Sequence, residues 1–176
     1  MKKANVSFGL AAMIILAAAS TRLLPHPPNF TAIGALALFG GTYFSGKNFS
    51  WLIPFLALFI SDVVLNSFVY SVEFNWYSLG TYIAFALVYL MGRMISGNIS
   101  VVNVFAGSFS ASLIFFLVSN LFFWQGMSIY SKDWSGLVTC FTAALPFFWN
   151  TFAGDITFTS LMFGAYYLSS RQLKLA

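Results

Sequence analysis

Two aspartates lie inside long apolar stretches of the sequence and are the first candidates for chemistry. Asp62 falls in the stretch 51–70, and Asp155 falls in the stretch 146–168. An ionisable side chain in membrane hydrocarbon is costly unless it faces protein or water, so residues of this kind commonly mark binding or transport sites. We therefore predict that both aspartates belong to a polar site inside a helical bundle.

Polar side chains accompany both aspartates at helical spacing. Asn66 follows Asp62 by four residues and so lies on the same helix face. Asn120 lies near one end of a further apolar stretch, 101–124. The residues that form a narrow polar stripe around Asp155 are Asn150, Thr151, Gly154 and Thr159. Polar stripes of this width on apolar helices are expected to face the bundle interior.

The only histidine, His26, lies in a proline-rich connection between two apolar stretches. Pro25, Pro27 and Pro28 fix φ and favour extended conformations for the residues before them. They predict a stiff cap that directs His26 and Asn29, with Arg22 at the end of the preceding stretch. His26 could bind a ligand or lie solvated in the loop, and Asn29 could simply cap the next helix.

The composition is that of an integral membrane protein. Of the 176 residues, 60% are hydrophobic and 7% are charged, and the mean hydropathy is +0.85. A helical membrane span needs roughly 20 apolar residues, and these runs are apolar at consecutive positions, unlike the alternating strands of a barrel. We predict an all-α, polytopic membrane protein with a single transmembrane domain over residues 1–176.

Six transmembrane helices account for nearly the whole chain. Their predicted bounds are about 6–24, 31–45, 51–70, 78–95, 101–124 and 146–168, and the second is short. A proline inside a helix removes a hydrogen bond and kinks or ends the helix. Because Pro146 follows the apolar segment 135–145, we predict that this segment forms a separate short helix at the membrane surface.

The first predicted span also has some features of a secretory signal peptide. A basic start, an apolar core and small residues at 17–19 fit that class. Cleavage would remove the helix that supports Arg22 and leave five spans. We therefore predict that the segment is retained as a membrane helix.

The cations set the predicted orientation. With six spans and the N-terminus inside, six of the eight lysines and arginines fall in cytoplasmic segments. These six are Lys2, Lys3, Lys47, Arg93, Arg171 and Lys174, whereas Arg22 and Lys132 fall outside. The positive-inside rule then predicts that both termini are cytoplasmic, an N-in/C-in topology, and that the His26 connection faces outward.

Three stretches carry a resemblance to a known family. They read R-L-L-P-H-P-P-N-F-T-A-I-G-A-L-A-L-F-G-G at 22–41, P-F-L-A-L-F-I-S-D-V-V-L at 54–65 and P-F-F-W-N-T-F-A-G-D at 146–155. The chain resembles an uncharacterised family of small bacterial membrane proteins. That family is similar to the S components, the substrate-capture subunits of energy-coupling-factor (ECF) transporters.

The resemblance implies a six-helix protein of the bacterial inner (cytoplasmic) membrane that captures a small, vitamin-like molecule from the outer side. It also implies a transmembrane coupling protein and two separate ATPase subunits as partners, with no cofactor or catalytic residue in this chain. S components carry an Ala-x-x-x-Ala docking motif in helix one, but here Ile15 follows Ala11 at that spacing. Operation without an ATPase module therefore stays open. The residues predicted to bind the substrate are Arg22, His26, Asn29, Asp62, Asn66, Asn120, Asn150 and Asp155.

Other functions are less well supported by the residues. An intramembrane aspartyl protease needs Gly-x-Gly-Asp, and Phe152 occupies the first glycine position before Asp155. The chain has no P-loop, which argues against ATP hydrolysis, and its scattered cations do not form a nucleic-acid surface. A ligand-free structural partner remains an alternative, in which Asp62 or Asp155 pairs with Arg22 and only holds helices together.

Overall fold

The computed structural model describes residues 8–44, 49–70, 75 and 77–172. Within them the chain is all-helical, as predicted. The helices, in chain order, are α1 (Phe8–Ser20), α2 (Ile33–Phe44), α3 (Leu52–Leu65), α4 (Ser78–Ile95), α5 (Val101–Gly126) and α6 (Trp134–Gln172). A 3₁₀ turn, Thr21–Leu23, extends α1, and a π-helical turn, Asn66–Tyr70, extends α3. Residues 6, 7 and 45 of the first two predicted spans, and Lys2, Lys3, Lys47 and Lys174, lie outside the described residues.

Four helical segments in the described ranges are long and apolar enough to cross a membrane. They are Leu52–Val69, Ser78–Ile95, Val101–Gly126 and Trp134–Gln172, and two shorter apolar segments cover Phe8–Leu23 and Ile33–Phe44. Large apolar side chains are exposed on the helices around the bundle, among them Met13, Ile60, Leu90, Phe105 and Leu161. This arrangement is compatible with a multi-pass membrane protein.

The short helix α2 lies at the centre of the bundle. It has 12 residues, about 18 Å at the usual helical rise, and every residue from Gly34 to Thr42 is buried. It contacts each of the other five helices. A helix that is apolar all round must be buried, and α2 carries no charged residue that would require solvent.

Helices α2 and α4 meet backbone to backbone at a pair of glycines. A Cβ atom built on Gly41 would lie 3.0 Å from the Cα of Gly92, and one built on Gly92 would overlap the carbonyl oxygen of Leu38. Small residues allow this close approach between apolar helices. The contact fixes the position of α2 against the wall of the bundle.

Helix α6 is continuous through Pro146, which corrects the prediction of a separate surface helix over 135–145. A proline has no backbone N–H and therefore removes one hydrogen bond from its helix. In a membrane bundle, groups on neighbouring helices can satisfy the carbonyl oxygen that is freed. The helix begins after Asp133, whose carboxylate accepts a hydrogen bond from the Gly136 N–H at 2.8 Å. This bond, with one from the Ser131 hydroxyl, lowers the pKa of Asp133. A capped helix of 39 residues results, roughly 58 Å long.

Replacing Gly92 with alanine is expected to destabilise the protein by about 1–3 kcal/mol, because the new methyl group overpacks the α2–α4 contact. The matched control is Gly164→Ala in α6, where an added Cβ meets nothing within 4 Å. That substitution is expected to be neutral or to stabilise by up to about 1 kcal/mol. Unfolding in mixed detergent micelles with rising SDS measures both free energies. Equal effects of the two variants would contradict the described contact.

Candidate binding site

The carboxylate of Asp155 lies at the N-terminus of α2. The backbone N–H groups of Gly34 and Ala35 donate to it, and the Ser112 hydroxyl donates to its Oδ2 at 2.7 Å. The first N–H groups of any helix lack partners within the helix, and negative charge is favourable at that end. Asp155 on α6 therefore caps α2, and only 1% of its surface is exposed.

Two glycines make room for this cap. A Cβ on Gly34 would lie 2.6 Å from the Cγ of Asp155, and a Cβ on Gly154 would lie 2.9 Å from the backbone nitrogen of Thr31. Both positions therefore require glycine for the chain segments to approach. The predicted polar stripe on α6 holds the end of the proline-rich connection and the start of α2.

The connection between α1 and α2 is fixed by further local contacts. Asn150 donates from its Nδ2 to the Pro28 carbonyl oxygen at 3.0 Å. Asn29 adopts the left-handed backbone conformation, with φ at 62°, which asparagine tolerates better than most residues. His26 is half-buried, and its Nδ1 lies 3.0 Å from the Pro27 carbonyl oxygen. The connection is thus stiffened by its prolines and tied to α6.

Arg22 and Asp62 form an ion pair between the end of α1 and α3. The Arg22 Nη2 donates to the Asp62 Oδ1 at 2.6 Å, and the Tyr82 hydroxyl donates to the other carboxylate oxygen at 2.9 Å. Arg22 also donates to the Ser61 hydroxyl. The sequence left open that one of the two aspartates pairs with Arg22 and holds helices together. Asp62 is the aspartate that does so.

A cavity of about 630 Å³ lies beneath the connection, and we call it the loop cavity. The connection, the starts of α2 and α4, the end of α3 and the facing parts of α5 and α6 form its wall. The residues that line it are Arg22, His26, Pro28, Asn29, Thr31, Ile33, Gly34, Leu65, Thr81, Phe115, Phe116, Ser119, Asn120, Ala144, Phe147, Phe148, Thr151 and Asp155.

The wall of the loop cavity combines a few polar groups with aromatic rings. The Arg22 Nε is buried and has no hydrogen-bond partner among the described residues. Phe116 and Phe148 pack edge to face, with ring centroids 5.3 Å apart. A wall that is mostly apolar with a few placed polar groups is typical of small-molecule sites. The unpartnered Nε–H requires a hydrogen-bond acceptor, such as a carbonyl or carboxylate oxygen.

The structure brings five of the eight predicted residues to the loop cavity. These are Arg22, His26, Asn29, Asn120 and Asp155. Asp62, Asn66 and Asn150 are not among its lining residues, which differs from the prediction. Asp62 is bound by Arg22 and Tyr82, Asn66 lies where α3 changes to its π-helical turn, and Asn150 bonds to the backbone of the connection.

Sequence reasoning missed part of the cavity wall. Thr81 and Ser119 line it, but single hydroxyls in apolar stretches often bond to their own helix and carry no distinctive pattern. Ser119 does donate to the Phe115 carbonyl oxygen. The phenylalanines of α5 and α6 are equally ordinary in a chain with 20% aromatic residues. Only the fold shows which of them face the cavity.

Comparison with known proteins assigns the family of the chain. A family model matches residues 2–176. The chain belongs to DUF6580, a family of unknown function. No curated protein and no solved structure matches this DUF6580 member. These comparisons show no link between the family and S components.

Asp155→Ala is expected to destabilise this DUF6580 protein by about 2 kcal/mol or more, because two backbone N–H groups of α2 lose their acceptor in a buried place. Asp155→Asn is the matched control, since asparagine caps helices as well as aspartate does. SDS unfolding in detergent micelles distinguishes the two variants. If the alanine variant is as stable as the asparagine variant, Asp155 is not the cap of α2.

Removal of one partner from the Arg22–Asp62 pair is expected to cost about 3–5 kcal/mol, because the other charge is left buried without compensation. Arg22→Met and Asp62→Leu should each show this loss, and the double variant should recover most of it. The control is Arg171→Met at the exposed end of α6, which should be near neutral. Additive losses in the double variant would show that the pair does not couple α1 to α3.

Proposed function

We propose that this DUF6580 protein captures a small molecule in the loop cavity. The observation that carries the proposal concerns Arg22, which lines a 630 Å³ cavity and whose buried Nε–H has no hydrogen-bond partner among the described residues. Desolvating a hydrogen-bonding group without compensation is costly, so a bound acceptor would remove a penalty that the unliganded protein bears. The phenylalanines of α5 and α6 supply the apolar remainder of the site.

The chemistry of the wall suggests a ligand class. The ligand would be a flat, largely apolar molecule with a carbonyl or carboxylate oxygen that accepts from Arg22. Phe116 and Phe148 would contact its rings, since aromatic groups pack well in offset or edge-to-face arrangements. Asn120 and His26 would provide further polar contacts at the wall. A small vitamin with a heteroaromatic ring fits this description.

The setting that we propose is a bacterial inner membrane, with six transmembrane helices and both termini in the cytoplasm. The shorter helices α1 and α2 complete the six, beside the four segments of the described ranges that have the length of a full span. In this orientation the proline-rich connection faces outward, so the ligand would enter from the outer side. Six lysines and arginines on the predicted cytoplasmic side and two on the outer side support it.

Residues 22–41, 54–65 and 146–155 resemble a family of small membrane proteins that is similar to S components, and this resemblance supports capture as the first step of uptake. With S components, a transmembrane coupling protein and ATPase subunits perform the transport. S components dock on this module through an Ala-x-x-x-Ala motif in helix one. Here Ile15 occupies the second alanine position after Ala11, so docking on such a module has less support than capture. The capture site does not depend on it, since the loop cavity is formed by this chain alone.

An enzymatic role for the two aspartates has less support. Aspartyl proteases need two carboxylates close enough to share one proton. Here Asp62 accepts from Arg22 and Tyr82, whereas Asp155 accepts from Ser112 and the start of α2. The two sets of hydrogen bonds have no member in common. We therefore propose a binding protein without catalytic activity.

Mass spectrometry of the purified protein is expected to identify a co-purified small molecule, which then serves as the ligand in binding assays. Thr151→Trp is expected to weaken its binding at least tenfold, because the indole fills part of the loop cavity. Thr139→Trp is the matched control on the same helix, since Thr139 is exposed and outside the cavity lining. Absence of any bound molecule, or equal binding by both variants, would refute capture at this site.

A further inference from the structure

A second cavity lies at the opposite end of the bundle from the loop cavity. Its volume is about 600 Å³, and we call it the α5–α6 cavity. The residues that line it are Tyr43, Ile99, Ser100, Val101, Val104, Phe105, Ser108, Ile156, Thr159, Ser160, Phe163, Gly164 and Tyr167. No part of the proposed capture function uses this space.

The antiparallel packing of α5 and α6 sets the two cavities apart. Asn120 and Cys140 are in contact near one end of the pair, and Ser112 and Asp155 are in contact further along it. The loop cavity is lined by the later part of α5 and the earlier part of α6. The α5–α6 cavity is lined by the earlier part of α5 and the later part of α6. Ser112 and Asp155 therefore lie in the layer between the cavities.

Two residues that line the α5–α6 cavity, Ser108 and Thr159, have buried hydroxyls. The exposed fractions of Ser108 and Thr159 are 1% and 2%, and neither Ser108 Oγ nor Thr159 Oγ1 has a partner among the described residues. Such groups in a native structure call for an explanation. Because both oxygens are buried, a water molecule would have to enter between α5 and α6 from the cavity to satisfy them.

These hydroxyls continue a polar row that begins at Asp155. Thr159 lies one helical turn beyond Asp155 on α6, and Ser108 lies one turn from Ser112 on α5. A turn rises about 5.4 Å, a gap that one bridging water can span. The four oxygen-bearing side chains thus lie in a row between the two cavities, and in this row Ser112 and Asp155 are in direct contact.

We infer that Asp155, Ser112, Ser108 and Thr159 form a path along which protons cross between the two cavities. The Ser112 Oγ lies 2.7 Å from the Asp155 Oδ2 and 3.1 Å from the Ser108 carbonyl oxygen, so its one hydrogen has two acceptors. This activity goes beyond ligand capture and does not require that a ligand binds.

Each step in the path conserves protons. A proton from water in the loop cavity binds a carboxylate oxygen of Asp155. The Asp155 carboxyl passes a proton to Ser112 Oγ as the Ser112 hydroxyl releases its own to water beside Ser108 and Thr159. Water in the α5–α6 cavity carries the proton away, and every oxygen returns to its starting state. No oxidant, reductant or metal takes part.

The charged groups around Asp155 leave it able to exchange a proton. Its described partners are the neutral Ser112 hydroxyl and two backbone N–H groups of α2. Arg22 lines the same cavity but is paired with Asp62, and half-buried His26 belongs to the connection. The other titratable groups on α2, α4 and α6 are also not bonded to Asp155. Tyr82 bonds to Asp62, and Tyr43 and Tyr166 pack together towards the other end of α2. The rest are Tyr89 and Arg93 on α4, and Cys140, Tyr167 and Arg171 on α6. A change of charge at Asp155 therefore breaks no ion pair.

Proton flux into proteoliposomes tests the path directly. The purified full chain is reconstituted with the pH dye pyranine inside, and a potassium gradient with valinomycin drives proton entry. The wild type should acidify the lumen faster than protein-free liposomes. Asp155→Asn should lower this rate at least tenfold, because its amide caps α2 but carries no titratable proton. Ser112→Ala and Thr159→Val should each lower it several-fold.

Thr157→Val is the matched control for Thr159→Val. Thr157 lies on the same helix but is exposed and donates to the Ala153 carbonyl oxygen at 2.7 Å. Its variant should keep the wild-type flux. SDS unfolding checks that every variant is folded. Wild-type flux equal to that of empty liposomes, full flux in folded Asp155→Asn, or equal losses in the two threonine variants would overturn the proposal.

Thiol labelling tests whether the α5–α6 cavity holds water. In a Cys140→Ser background, Thr159→Cys should react with a charged methanethiosulfonate reagent, whereas Thr157→Cys on the outer face should not. Absence of reaction at position 159 would mean a dry cavity and would refute the path. These readouts are independent of capture, because loss of a co-purified ligand refutes the capture proposal without changing proton flux.

Discussion

The cap that Asp155 places on α2 is the interaction on which the rest of the structure depends. Helix α2 begins inside the bundle, where Gly34 and Ala35 are buried, and buried backbone groups must find partners. A carboxylate from α6 meets that requirement. The need for glycine at Gly34 and Gly154 follows from the close approach. Because α2 contacts every other helix, its position affects the whole bundle.

The proline-rich connection is a consequence of the same constraint. The chain must turn from the end of α1 and enter the bundle at the depth of Asp155, within residues 24–32. Prolines limit the conformations of the unfolded chain as well as the folded one, and Asn150 and Gly154 hold the connection against α6. The loop cavity is the space left between this fixed connection and the aromatic side chains below it.

The sequence predicted the class of fold and the unusual residues, but not how those residues are paired. An acid in an apolar stretch is rare enough to be noticed without a structure, and so both aspartates and Arg22 were identified. Which acid pairs with Arg22 depends on helix packing, and the cap of α2 joins residues on the second and sixth helices. The prediction for 135–145 was wrong because it applied a local rule to Pro146, where surrounding helices permit a continuous helix.

The two aspartates differ in what it would cost to change their charge. Asp62 is held by a guanidinium, and loss of either member of a buried ion pair typically costs about 3–5 kcal/mol. Asp155 is held by three neutral donors, the Ser112 hydroxyl and the N–H groups of Gly34 and Ala35, and each hydrogen bond to a charged group contributes about 1.5–3 kcal/mol. An uncharged side-chain oxygen can also cap a helix, because serine and asparagine are preferred at helix N-termini. A change of charge at Asp62 would therefore leave a buried guanidinium without its partner, whereas the same change at Asp155 would break no ion pair and would leave an oxygen acceptor for α2.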